Sequence, residues 1–226
     1  SLGLVGSEMC IRDRFISRFH KPVDNTRPYG SHRYDVYGPK VGRMLTLFGQ
    51  TALRAWTTLE ADPEVASYCE RPIVITHTKP KRVVDFWVNR NGRDELWFLL
   101  RNSELSSTRL DSHQSQSFKH WAASNEFDIK CTDPEDLENQ NIYFENWGAI
   151  IRYLSANAKT IQLQLANQIC DLAKNQLTLN ELQQHVREQD PIVVRTVLFS
   201  LVHEGKIRCL EISTKPIGLN STFELI

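Results

Sequence analysis

Cysteine is sparse in this chain of 226 residues: the five (Cys10, Cys69, Cys131, Cys170, Cys209) are far apart, and no Cys-x-x-Cys occurs. None of the seven histidines lies at zinc-ligand spacing from them. This argues against a disulfide framework or a zinc ribbon and suits a reduced, cytoplasmic compartment. Long apolar runs are missing too. None approaches the ~20 residues that span a bilayer, so no membrane partner is expected. An excess of one charge is also absent: 27 basic residues balance 27 acidic ones. Any surface for nucleic acid must therefore be local. Residues 1–14 are too short, and too polar at their end, for a signal peptide. They look like a translated adapter sequence, so neither they nor Cys10 carry weight in the fold expectation.

What is present centres on residues 81–101. Two apolar runs, 82–90 and 94–101, flank Asn91-Gly92. Asn-Gly between such runs is the strongest short hairpin signal, because both turn residues need positive φ. Both arms are rich in Val, Trp, Phe and Leu, which suit a buried pleated surface. Asp85 interrupts the first arm. Burying a carboxylate is costly unless it is paired, bound to metal or at a cleft mouth. Two readings stand for Asp85: a group placed for chemistry, or a strand-edge acid paired with Arg82 or Arg101.

The remaining pattern reads in chain order. Residues 15–45 interleave bases with aromatics (Phe19, Tyr29, Tyr34, Tyr37), and their prolines and glycines argue against regular structure. A basic N-terminal arm is expected there, either tracking phosphates through Arg27, Arg33, Lys40 and Arg43 or folded over its own domain. Residues 46–62 read as a helix, 63–68 as a short helical turn and 73–78 as a strand. A helix over 114–123, a strand over 127–131 and an apolar helix over 142–153 follow. The whole is an α/β arrangement around a mixed sheet. Residues 155–159 suit a linker. Beyond it, 161–174 is amphipathic. Thr178 and Glu181 form a capping box, and Asp190-Pro191 opens a helix over 192–203. Strands over 207–213 and 221–226 complete the pattern of a winged helix-turn-helix.

Across residues 41–155 the chain resembles the TnsA family, the endonuclease subunit of heteromeric cut-and-paste transposases. The resemblance is carried by Leu59-Glu-Ala-Asp-Pro-Glu-Val65, Cys69-Glu70-Arg71-Pro72 and Val84-Asp85-Phe86-Trp87. It implies a restriction-endonuclease-like domain over 46–155 and a winged-helix domain over 156–226. It also implies Mg²⁺-assisted phosphodiester hydrolysis, with acids on two strands as ligands and a lysine beside the second. Asp85 matches the first strand acid and is the candidate metal ligand. The second acid and its lysine are replaced by Leu99 and Arg101, and the plausible places of the helix acid hold Gln50, Ala52 and Arg54. Leu99 cannot bind a metal, and Arg101 keeps a charge without being a base. Asp85, Arg101 and Gln50 are thus the candidate catalytic residues of a degenerate site.

The first functional expectation is a TnsA-like subunit of a bacterial transposition system. It would bind transposon-end DNA, a DDE transposase or an ATPase regulator, with no small-molecule substrate. An active endonuclease using Mg²⁺ at transposon 5′ ends is the alternative. A winged-helix DNA-binding regulator is the third reading. The helix over 191–204 is poor in polar residues for a major-groove reader, which makes protein docking at least as good an account of it. Lys206 and Arg208 near the wing remain candidates for phosphate contact. Trp121 and Trp147 read as core.

Overall fold

The computed structural model describes residues 18–75, 81–100, 113–157 and 161–226. Arg101, Cys10 and the far end of the strand expected over 73–78 lie outside them. In chain order the elements are β1 (Arg33–Gly38), β2 (Arg43–Phe48), α1 (Gln50–Ala61), β3 (Val65–Glu70), β4 (Val74–Ile75), β5 (Arg82–Val83), β6 (Phe86–Arg90) and β7 (Arg93–Leu99). There follow α2 (His113–Ser124), β8 (Phe127–Thr132), α3 (Pro134–Glu138), α4 (Asn141–Asn157), α5 (Leu163–Leu172), β9 (Leu177–Thr178), α6 (Leu179–His185), α7 (Pro191–His203), β10 (Ile207–Cys209) and β11 (Thr222–Leu225). The protein is mixed α/β, and no described helix is long and apolar enough to cross a membrane.

Two compact units share these elements. One comprises residues 1–26 and 64–133, the other 27–63 and 134–226. In the first, β3, β6, β7 and β8 form a four-stranded sheet in that order. The β6–β7 hairpin turns at Asn91 (φ 49°) and Gly92 (φ 79°), as a two-residue primed turn requires. Its arms are central strands. Phe86, Trp87 and Val88 are buried, as are Leu96, Trp97, Phe98 and Leu99. Covered on both faces, they read as continuous apolar runs rather than alternating ones. β8 joins β7 in parallel after the α2 crossover. Of residues 63–68, expected as a helical turn, Pro63 and Glu64 do turn, but 65–68 open β3, which pairs antiparallel with β6. Tyr68 and Cys69 find buried cross-strand partners there, Val88 and Trp87, and that outweighs their local preference.

The second unit departs further from the sequence reading. Residues 15–45 are not irregular throughout: β1 and β2 pair from Arg33↔Phe48 to Gly38↔Arg43. Gly42 (φ 63°) lets the four-residue loop close. Residues 46–48, placed in a helix by periodicity, complete β2 (Arg43–Phe48), and α1 starts at Gln50 after Gly49 (φ 90°) breaks the strand. The linker expected over 155–159 is in part helix, since α4 runs to Asn157.

One apolar core fills this unit. Ala61 of α1 and Trp147, Ile150 and Leu154 of α4 belong to the same cluster as Leu165, Ile169, Leu182, Val197, Phe199 and Phe223. In α7, every residue from Thr196 to Val202 is buried, so the helix has no solvent face over two turns. β10, β11 and β9 form a three-stranded ribbon in that order. The capping box is in place: Thr178 Oγ1 accepts from the Glu181 amide at 3.2 Å, and Glu181 Oε2 accepts from the Thr178 amide at 2.7 Å. Asp190 caps α7 through the Ile192 amide at 2.7 Å, with Pro191 in the first turn. One side chain differs from expectation: Trp121 of α2 is 39 % exposed rather than core.

Candidate functional site

Asp85 lies where the first hairpin arm breaks between β5 and β6. β5 leaves the arm to pair with β4, and the main chain is re-anchored at the break. The Asp85 amide donates to the Trp97 carbonyl at 3.0 Å, and the Asp85 carbonyl accepts from the Arg71 amide at 2.9 Å. The side chain completes the repair. Oδ2 accepts from the Leu99 amide at 2.8 Å, so the carboxylate substitutes for the ladder carbonyl the broken arm does not supply. The Arg82 guanidinium donates to the same oxygen at 3.2 Å and to the Leu99 carbonyl at 2.7 Å. Arg82 and Asp85 are 14 % and 26 % exposed. A half-desolvated, charge-assisted clamp of this kind is stronger than a surface pair.

The ion pair with Arg82, one of the two partners expected for Asp85, is present. Leu99 is buried and contributes only main-chain groups. Nearby Glu95 of β7 accepts from Trp97 Nε1 at 2.6 Å and faces Arg90 at 3.3 Å. Glu70, which the TnsA-like motif contains but periodicity does not flag as special, is buried at the end of β3.

The fit of this donor set to Mg²⁺ is poor. The ion wants several oxygen ligands in near-octahedral array. Asp85 Oδ2 instead accepts from an amide and a guanidinium, donors that compete with a cation for that oxygen. Among the described residues, no group of three or more His, Cys, Asp or Glu side chains could hold a metal ion.

Gln50 belongs to the second unit, in the first turn of α1, where its Oε1 accepts from the Tyr34 hydroxyl at 2.9 Å. It lines a cleft of about 740 Å³ between β1, α1 and α4. The six bases expected to meet phosphate are all engaged. Arg27 donates to the Ser31 carbonyl, Lys40 to the Asp62 carbonyl and Arg43 to the Met44 carbonyl. Arg33 pairs with Asp35 at 3.1 Å, Lys206 with Glu204 at 2.7 Å and Arg208 with Glu224. The Thr46 hydroxyl, and then Arg33, hold the Asp35 carboxyl below the usual carboxylate range. Hydrogen bonds from Gln176 and Arg208 do the same for Glu224. Exposed pairs of this kind contribute little to stability, so phosphate can compete for their bases.

Sequence reasoning missed one buried polar contact in the second unit. Glu60 of α1 is fully buried, and its Oε2 lies 2.7 Å from His203 Nε2 at the end of α7. The Lys40 amide reaches both Glu60 oxygens at 3.4 Å, so the β1–β2 turn, α1 and α7 meet at one carboxylate. The signal for it was weak: a glutamate in a Leu-Glu-Ala helix end reads as an exposed residue. No protein-family model matches the chain, and no curated protein matches it.

Proposed function

We propose that the chain is a TnsA-like subunit of a transposition system that binds DNA ends or partner proteins and does not itself cut DNA. The observation that carries this reading is Asp85: the acid that would hold the catalytic metal closes a strand break through the Leu99 amide and Arg82. Leu99, at the place of the second acid, is buried and offers no side-chain oxygen. The finer fold reading belongs to the same proposal. A mixed sheet ordered β3-β6-β7-β8 fits a restriction-endonuclease-like core, and α5 to α7 followed by β10 and β11 fit a winged helix-turn-helix. Burial of α7 counts against its reading a major groove, and so against a sequence-specific regulator. DNA contact through Arg33 and Arg43 of the β1–β2 hairpin and Lys206 and Arg208 of the ribbon would be to phosphates, giving affinity without sequence choice.

Fluorescence anisotropy with labelled duplexes tests the DNA part. Binding is expected to weaken as salt rises, with log K falling by about 0.9 per phosphate contact per decade of salt. Arg33→Glu with Arg43→Glu is expected to lower affinity by a similar factor on unrelated sequences. No binding at low salt, with the fold intact, would remove the DNA role and leave protein docking.

A further inference from the structure

Three observations converge on the cleft of the second unit. The first is main-chain hydrogen bonding in β1. The Gly49 amide donates to the His32 carbonyl, which makes His32↔Gly49 a bonded pair of the antiparallel ladder. Bonded and non-bonded pairs alternate, so Tyr34, Val36 and Gly38 bond to β2. Arg33, Asp35 and Tyr37 then turn their N–H and C=O groups to the other edge of β1. Among the described residues no third strand pairs with that edge.

The second observation is where the edge points. Asp35, Val36 and Tyr37 all line the cleft. Three consecutive strand residues can line one cavity when it runs along the strand's edge, because their side chains alternate between faces. Leu53, with the largely buried Trp56 and Ile151, lines the same cleft. The volume, about 740 Å³, lies within the ~300–1,000 Å³ usual for a ligand cleft.

The third is Gly148. It lies in the middle of α4, where glycine weakens a helix, and it lines the cleft. A Cβ added there meets nothing within 4 Å. Packing within the chain does not require a glycine, but close approach of another backbone would.

We propose that this cleft binds an extended segment of a partner protein, which adds to β1 as a third strand. The rim selects its charge. Arg152 and Glu145, exposed two turns apart on α4, have no ion-pair partner among the described residues. Two turns of helix span about 10.5 Å, or roughly three residues of strand. The fitting segment therefore carries an acid near Arg152 and a base near Glu145, about two to four residues apart, with apolar residues between. Main-chain bonds supply affinity and the flanking side chains supply choice, as in other strand additions. The site deepens the assembly role proposed above and rests on it only for the partner's identity, since strand addition needs neither DNA nor nuclease chemistry.

The test uses the full chain and a phage-displayed library of random peptides of about seven residues. Enriched peptides are expected to carry the mixed-charge pattern, and a labelled one should bind at least tenfold more weakly to Gly148→Leu. Methylation of alternate peptide amides should weaken it likewise. On binding, the amides of Asp35 and Tyr37 should become slow to exchange, while those of Tyr34 and Val36 are slow already. Gly148→Leu should melt no lower than wild type and bind duplex DNA as wild type does, which separates this site from the DNA role. Arg152→Glu supplies a second variant: it should weaken the peptide and be rescued by a peptide with its acid changed to lysine. Failure to enrich any peptide, binding indifferent to both variants, or protection of the Asp35 and Tyr37 amides in the free chain would each overturn the proposal. So would concentration-dependent dimerisation abolished by Gly148→Leu, which would put a second copy in the cleft.

Discussion

Replacing Asp85 by alanine removes the acceptor of the Leu99 amide and the partner of Arg82 at a single stroke. Unsatisfied, partly buried donors cost ~1–3 kcal/mol, so Asp85→Ala is expected to lower the urea midpoint of unfolding by a corresponding amount. A carboxylate kept for metal chemistry behaves oppositely, because relieving its strain leaves the fold unchanged or firmer. Urea denaturation followed by tryptophan fluorescence distinguishes them, and an unchanged or raised midpoint would contradict the clamp. The acid and its surroundings were legible in the sequence as an anomaly in a greasy strand. The pairing with Arg82 was not, because it depends on where the arm breaks. That break is set by the pairing of β5 with β4, a contact that local propensity does not encode.

At the scale of the element, the clearest sequence signals were those with stereochemistry of their own. Asn91-Gly92 fixed the hairpin, Thr178 with Glu181 fixed the start of α6, and Asp190-Pro191 fixed that of α7. Each is decided within a few residues by φ or by one side chain reaching a free amide. The failures were strands. β1 and β2 are stabilised by each other and β3 by the more distant β6, and their basic, aromatic or polar residues mask the alternation.

A pH-linked test belongs at the same scale. Bonds from the Thr178 amide and then its hydroxyl hold the Glu181 carboxyl below its ordinary value of 4.5. A folded-state value lower than the unfolded one means the contribution is full above about 4.5 and lost as pH falls through the folded value. Thr178→Ala is therefore expected to cost ~1 kcal/mol near neutral pH, with the gap from wild type narrowing on acidification. Thermal melts of both proteins between pH 7 and pH 3 check this, and a gap constant over the range would contradict it.

For the whole molecule, the division of the core is the informative feature. The sequence suggested a self-contained domain beginning at residue 156, because a polar stretch follows an apolar helix. Packing joins Ala61, Trp147, Ile150 and Leu154 to the cluster around α7 instead. A fragment of residues 161–226 lacks those side chains and leaves α7 without part of its cover. Expressed alone it is expected to lose cooperative thermal unfolding, whereas residues 27–63 and 134–226 joined by a flexible linker should regain it. Calorimetry of the two checks this; a sharp transition in the short fragment would contradict it. Composition could not reveal this division, since it depends on contacts between segments about a hundred residues apart in the chain.

The most direct test is a supercoiled-plasmid nicking assay with Mg²⁺ and with Mn²⁺, run on the full chain and on Asp85→Ala. A subunit whose acid closes a strand break should leave the plasmid at background with either ion, for both proteins. Metal-dependent nicking by the wild type that disappears in Asp85→Ala would show that Asp85 holds a catalytic ion, and the structural role assigned to it would fall.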